Sequence, residues 1–180
     1  TLADLANHAL PTMDAAPDLI VLEYGVNEGF DDTLDLGAYE VLWRASIARM
    51  RREAPGAAIL ILGAPDALRS EGGGVCPGDP DARWRSPVVL EAVRAVQTRV
   101  AAEAGVAFWD WYGRMGDACA AMRLTFPGGN GEEPMMRPDH VHFTAGGADW
   151  IGALLYQDLM TAGRDWYRRG QTGGAFGGGR

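Results

Sequence analysis

Two short, almost uninterrupted apolar runs, Asp18 to Gly25 (DLIVLEYG) and Ala57 to Gly63 (AAILILG), constrain this chain more than any other feature. Strict alternation would mark strands with one wet face. A continuous run marks strands covered on both faces, as parallel strands are in an α/β sheet. Between the runs, Ala38 to Ala54 carries Val41, Leu42, Ala45, Ile47, Ala48 and Met50 at helical spacing and stops at Pro55-Gly56. The pattern predicts a helix over residues 2–14 and another from Ser86-Pro87, read as N-cap and first position, to Ala104, closed by Gly105. It also predicts a third short strand over Val106 to Trp109, a broken helix over Tyr112 to Met122, and a final helix capped by Thr144. Asn27 to Gly37, Asp66 to Ser86 and Phe126 to Pro138 read as loops. The middle one, with three consecutive glycines, is long enough to suggest a functional role. No repeat or linker divides the body, and Gly170 to Arg180 is a glycine-rich tail with too little apolar surface to fold.

Composition narrows the partners. Sixteen positive charges, all of them Arg, stand against twenty-four negative ones for a net charge of −8. Such a chain is a poor electrostatic match for nucleic acid or anionic membrane. No apolar run approaches the roughly 20 residues of a membrane span. The chain opens on Thr1 with no initiator Met and no secretory signal, which points to a cut or processed product. Cys76 and Cys119 are too few for a zinc site; they are either one disulfide or two separate thiols.

In an open parallel sheet, ligands bind beyond the carboxyl ends of the strands. The polar residues expected there are Gly25-Val26-Asn27-Glu28, after the first strand, and Asp139-His140-Val141-His142, before the last helix. Asp139 and His142 are spaced so that the carboxylate can fold back onto the imidazole Nδ1–H, leaving the other nitrogen as a base for a serine. His140 is the competing histidine. The His-x-His pair also raises a metal site, although no third ligand is evident. Asn27 is either a turn residue or a donor to a developing oxyanion. Glu23 and Glu28 are candidates for a glycosidase carboxylate pair with Asp139, but nothing in the sequence sets their separation. The cluster Phe108, Trp109, Trp111, Tyr112 is either a sugar-stacking platform or a strand end packed beneath a helix.

DLIVLEYGVNEGF resembles the third conserved block of the SGNH (GDSL-type) hydrolases, and PDHVHFTAGGADWIGALLYQDL resembles their fifth. The Tyr-Gly-x-Asn-Glu form and the Leu-Tyr-x-Asp-Leu ending are most similar to the bacterial peptidoglycan O-acetylesterase branch. The resemblance covers about residues 16–162 and implies a three-layer, flavodoxin-like parallel sheet with helices on both faces. It implies His142 as general base, Asp139 as the residue that orients it, Asn27 as an oxyanion-hole donor and Gly25 as the glycine of the turn before it. Glu28 stands where most members have Asp. No cofactor is implied.

The first block, Gly-Asp-Ser with the nucleophile, and the second, with its oxyanion glycine, are not recognisable. Ser46 lies mid-helix, Ser70 in the glycine-rich loop and Ser86 at a helix start, and Gly116-Asp117 is followed by Ala118. Residues 1–169 are therefore expected to be the C-terminal portion of one SGNH hydrolase domain, short of its first strands. The strand at 18–25 would then show an apolar edge, a hazard in a free domain, for a complementary polypeptide segment carrying Gly-Asp-Ser. The function implied is Ser-His-Asp hydrolysis of a carboxylic ester, with a small-molecule or polysaccharide ester as substrate and acetyl or another short acyl group removed. The alternatives are a lipase or thioesterase for longer chains, and a carbohydrate-binding module without chemistry. The family likeness favours an extracytoplasmic location.

Overall fold

The computed structural model describes residues 1–7, 16–128 and 133–173, with side chains through Arg169. Its centre is a three-stranded, wholly parallel sheet of β1 (Leu19–Glu23), β2 (Ala58–Leu62) and β5 (Ala107–Trp109) in the order β1-β2-β5. The register pairs Val21 with Leu60 and Leu60 with Ala107, so residues 20, 22, 59, 61 and 108 share one face. On that face pack α1 (Leu2–Asn7), α3 (Leu36–Glu53) and α4 (Leu90–Ala104), around Trp43, Ile47, Ile61, Val93 and Val100. The other face carries Leu60, Leu62 and Trp109 beneath α5 (Trp111–Met115), α6 (Ala120–Arg123) and α7 (Ala145–Gly173). These three layers are the α/β architecture expected from the continuous apolar runs.

Three local readings are corrected. Ser86-Pro87 does not start α4: Leu90 N–H bonds to Pro87 O in a preceding turn, and Val89 takes the N-cap position without a side-chain cap. The end is as expected, with Gly105 left-handed at φ 62°. The stretch after Val26 is one helical turn, α2 (Val26–Gly29), rather than irregular loop. The long glycine-rich loop contains a small antiparallel ladder of β3 (Arg69–Ser70) and β4 (Trp84–Arg85). It is stapled to the Cys119 turn by a Cys76–Cys119 disulfide, which removes the reading as two separate thiols.

The predicted first helix is seen only to Asn7, and its remainder, 8–14, lies outside the described residues. The tail reading at 170–180 meets a helix that continues to Gly173; residues 174–180 lie outside the described ones. Among the described residues no helix is long and apolar enough to cross a membrane. No described strand pairs with the outer edge of β1, and Leu19 and Val21 stand 43% and 45% exposed there.

Candidate active site

The carboxyl ends of β1 and β2 open onto a cavity of about 220 Å³ lined by Tyr24, Gly25, Asn27, Gly63, Pro65 and Trp111, among others. Gly25 begins the wall. Its φ of 123° lies where only glycine is comfortable, and a Cβ there would meet Gln97 Nε2 at 2.8 Å and Val93 Cγ1 at 3.1 Å. Both facts explain why a glycine stands at this turn. Glu28 closes the turn from the other side. Although buried, it accepts Gly25 N–H at 2.9 Å and Leu2 N–H at 2.6 Å. With both oxygens committed to backbone, Glu28 is a brace and offers no glycosidase carboxylate. Asn27 lies between these anchors on the first turn of α2, exposed, with no hydrogen bond to its amide among the described residues.

The Asp139–His142 stretch forms its own device. An antiparallel bridge between Met136 and Phe143 pinches the loop, and Arg137 N–H donates to His142 O at 2.8 Å. Within the loop His140 is left-handed at φ 55° and turns inward. Asp139 Oδ1 then accepts both Val141 N–H and His142 N–H at 2.9 Å, while Oδ2 meets His142 Nδ1 at 3.0 Å. Partial burial pushes the Asp139 carboxyl up, but the two backbone donors and the His142 ring outweigh it and hold it below the usual carboxylate value. The imidazole is 68% exposed. When Nδ1–H donates to Asp139, the lone pair on its Nε2 is left as an acceptor.

His140 does not compete for this role. It is buried, edge-on to Trp84 at 4.2 Å between ring centres, with Nδ1 at 2.9 Å from Thr125 Oγ1. One histidine of the His-x-His pair therefore faces the interior and the other faces water. Among the described residues no group of three or more His, Cys, Asp or Glu gathers as a metal site requires. The aromatic cluster is also mainly core: Trp109 is buried and donates Nε1–H to Asp158 at 2.9 Å. Trp111, also buried, packs on Phe143 at 5.8 Å and contributes to the cavity wall.

Asp139 and His142 are thus brought together, and Gly25 and Asn27 share the cavity, but neither Asp139 nor His142 lines that cavity. The two halves connect through the Trp111–Phe143 contact and a Leu68 N–H bond to His140 O at 3.1 Å. The three serines stand elsewhere: Ser46 is buried in α3, Ser86 is exposed, and Ser70 is exposed with its Oγ accepting Arg83 Nε–H at 2.8 Å. Sequence reading missed Gln97, which is fully buried beneath Gly25. Its signal was a lone amide on the apolar stripe Leu90, Val93, Val100 of α4, a place that demands specific partners.

The architecture is thus a three-layer α/β domain with an Asp–His pair on the loop before its last helix and an Asn just beyond β1. Residues 1–150 match the model of the GDSL-like Lipase/Acylhydrolase family, and the chain belongs to that family. A peptidoglycan O-acetylesterase structure superposes with a TM-score of 0.72 at 31% identity, over 91% of this chain. The lipase/acylhydrolase from Enterococcus faecalis superposes with a TM-score of 0.52 at 19% identity over 79% of the chain, a likeness of fold. The chain spans 41% of the first protein's length and 61% of the second's. No curated protein sequence matches the chain.

Proposed function

We propose that this chain supplies the base half and part of the oxyanion half of a serine esterase that removes acetyl or other short acyl groups from a carbohydrate. The observation that carries the reading is the Asp139–His142 pair at 3.0 Å, its carboxylate tied down by two backbone donors. A serine Oγ attacks the acyl carbon as His142 Nε2 takes its proton, and Asp139 holds the ring and stabilises the imidazolium. Asn27 donates to the tetrahedral oxyanion. Collapse expels the sugar oxygen, which takes the proton back from His142. Water, deprotonated by His142, then attacks the acyl-enzyme and releases the carboxylic acid and the serine.

A small cavity with Glu23, Asn27 and Glu28 on its wall supports a short acyl group, because long-chain sites are larger and more apolar. The 31% identity to a peptidoglycan O-acetylesterase favours a cell-wall or related polysaccharide as acceptor. The disulfide favours an oxidising, extracytoplasmic compartment.

The nucleophile enters on a complementary polypeptide segment carrying Gly-Asp-Ser that pairs with β1. Leu19 and Val21 support this: register puts them on the same sheet face as Leu60, which α7 and its neighbours cover, yet they are nearly half exposed. The test is a fluorophosphonate probe on the native, full-length gene product, with the labelled peptide identified by mass spectrometry. Labelling outside this chain, abolished by H142A, is expected. A label on Ser46, Ser70 or Ser86 overturns the separate segment, and no labelling at all favours the binding module.

A further inference from the structure

We infer that Gln97 is a positioning residue for Asn27, an inference that rests on the oxyanion role just proposed. Its side chain is wholly buried and uses both ends. Oε1 accepts Ala64 N–H at 2.9 Å, and the Nε2 amide donates to Tyr24 O at 2.5 Å. Tyr24 follows β1, and Ala64 follows β2. One amide on α4 therefore staples together the two segments that leave the sheet at the cavity.

The staple sits directly under the turn that presents Asn27. Gln97 Nε2 occupies the space a Gly25 Cβ would need, and Gly25 N–H is held from the opposite side by Glu28 at 2.9 Å. The peptide between Tyr24 and Gly25 is thus fixed at its carbonyl by Gln97 and at its N–H by Glu28, two residues before Asn27. Since the Asn27 side-chain amide has no hydrogen bond among the described residues, its placement is inherited from the backbone that this peptide anchors. Tyr24, Gly25 and Asn27 line the same cavity as Gly63, next to Ala64, so the staple also sets that cavity's width. A purely structural amide would satisfy groups anywhere in the core. This one joins two segments of the cavity wall.

An oxyanion donor acts in the transition state, so loosening it lowers kcat and leaves KM nearly unchanged. Q97M keeps helix propensity and approximate volume while removing both polar atoms. In the full-length enzyme on a chromogenic acetyl ester it is expected to lower kcat on the order of tenfold to a hundredfold, the scale of a misplaced catalytic group. N27A alone is expected to lower kcat more, and adding Q97M to N27A is expected to cost nothing further. Q97E, of the same shape, replaces Q97M in the same cycle if Q97M does not accumulate folded.

A kcat loss from Q97M that persists in full on N27A, or a lowered Tm with kcat intact, overturns the positioning role while leaving Asn27 in place. N27A with wild-type kcat overturns the oxyanion assignment itself and the positioning role with it. The two failures are told apart by the single N27A variant.

Discussion

Replacing Asp139 with Asn tests the base half of the site without dismantling it. An Asn oxygen can take the place of Oδ1 and keep the 2.9 Å bonds from Val141 and His142 N–H, so the loop stays folded. The amide NH₂ then falls where Oδ2 was, 3.0 Å from His142 Nδ1. A donor there forces Nδ1 to accept and moves the ring proton to Nε2, the nitrogen that must be free to take the serine proton. Nothing has moved, yet the base is in the wrong tautomer. The loss expected for such an inversion is about 10⁴-fold in kcat, or about 5 kcal/mol of barrier. D139A behaves differently, because it also removes the acceptor of two backbone donors and loosens the turn by about 1 kcal/mol. Two measurements are needed: kcat of the full-length variants on a short-chain ester, and nitrogen NMR of the His142 ring in the 180-residue chain. A D139N enzyme with wild-type kcat, or a His142 ring that keeps its proton on Nδ1, refutes the reasoning.

Reducing the Cys76–Cys119 disulfide, which closes a sequence separation of 43, is expected to cost about 4 kcal/mol by loop-entropy arithmetic and to lower Tm by roughly 10 °C; unreduced protein that titrates as two free thiols contradicts the bridge. E28Q is expected to cost about 1–3 kcal/mol in chemical denaturation, because one of the two backbone N–H groups that Glu28 accepts would face an amide donor. The depressed carboxyl of Asp139 contributes stability that is complete above the ordinary carboxylate range near pH 4 and lost as pH falls through its lower folded value. The Tm difference between wild type and D139N should therefore shrink between pH 5 and pH 2, and a constant difference would show that the pairing does not depend on ionisation.

The parallel sheet was legible because strands covered on both faces leave uninterrupted apolar runs, and β1 and β2 fall within the two runs. The ladder of β3 and β4 was not, since two residues per strand beside glycines carry no periodicity. Ser86-Pro87 satisfied every local rule for a helix start, but Pro87 is used in a turn that delays α4 to Leu90. In the site, spacing allowed the Asp139–His142 pairing, and the structure has the two side chains 3.0 Å apart. The family resemblance pointed to His142 over His140, and the backbone supplies the geometric reason, because the positive φ at 140 sends that ring inward and leaves its neighbour outside. The disulfide joins the glycine-rich loop to a turn after α5, a proximity only the tertiary fold creates. Gln97 went unread in the sequence, since a lone amide on an apolar stripe has meaning only once its two partners prove to follow adjacent strands.

The two halves of the site are held by different means, and this bears on how it fails. Gly25 and the turn bearing Asn27 are fixed by buried side chains from α2 and α4, so they loosen only when the core does. Asp139 and His142 hold each other through bonds among near neighbours in sequence and are themselves exposed, although the loop between them is pinned to the core by buried His140. Opening free energies run from near zero in exposed loops to the global value in the core. Acid should release the Asp139–His142 pair first, because protonation removes the carboxylate charge on which it depends, while the neutral Gln97 amide that holds the oxyanion half keeps its bonds. A hydrolase so divided loses proton transfer before it loses the cavity. Under such conditions it would still bind a substrate analogue while its probe reactivity falls, an order of events that a site built on one rigid element would not show.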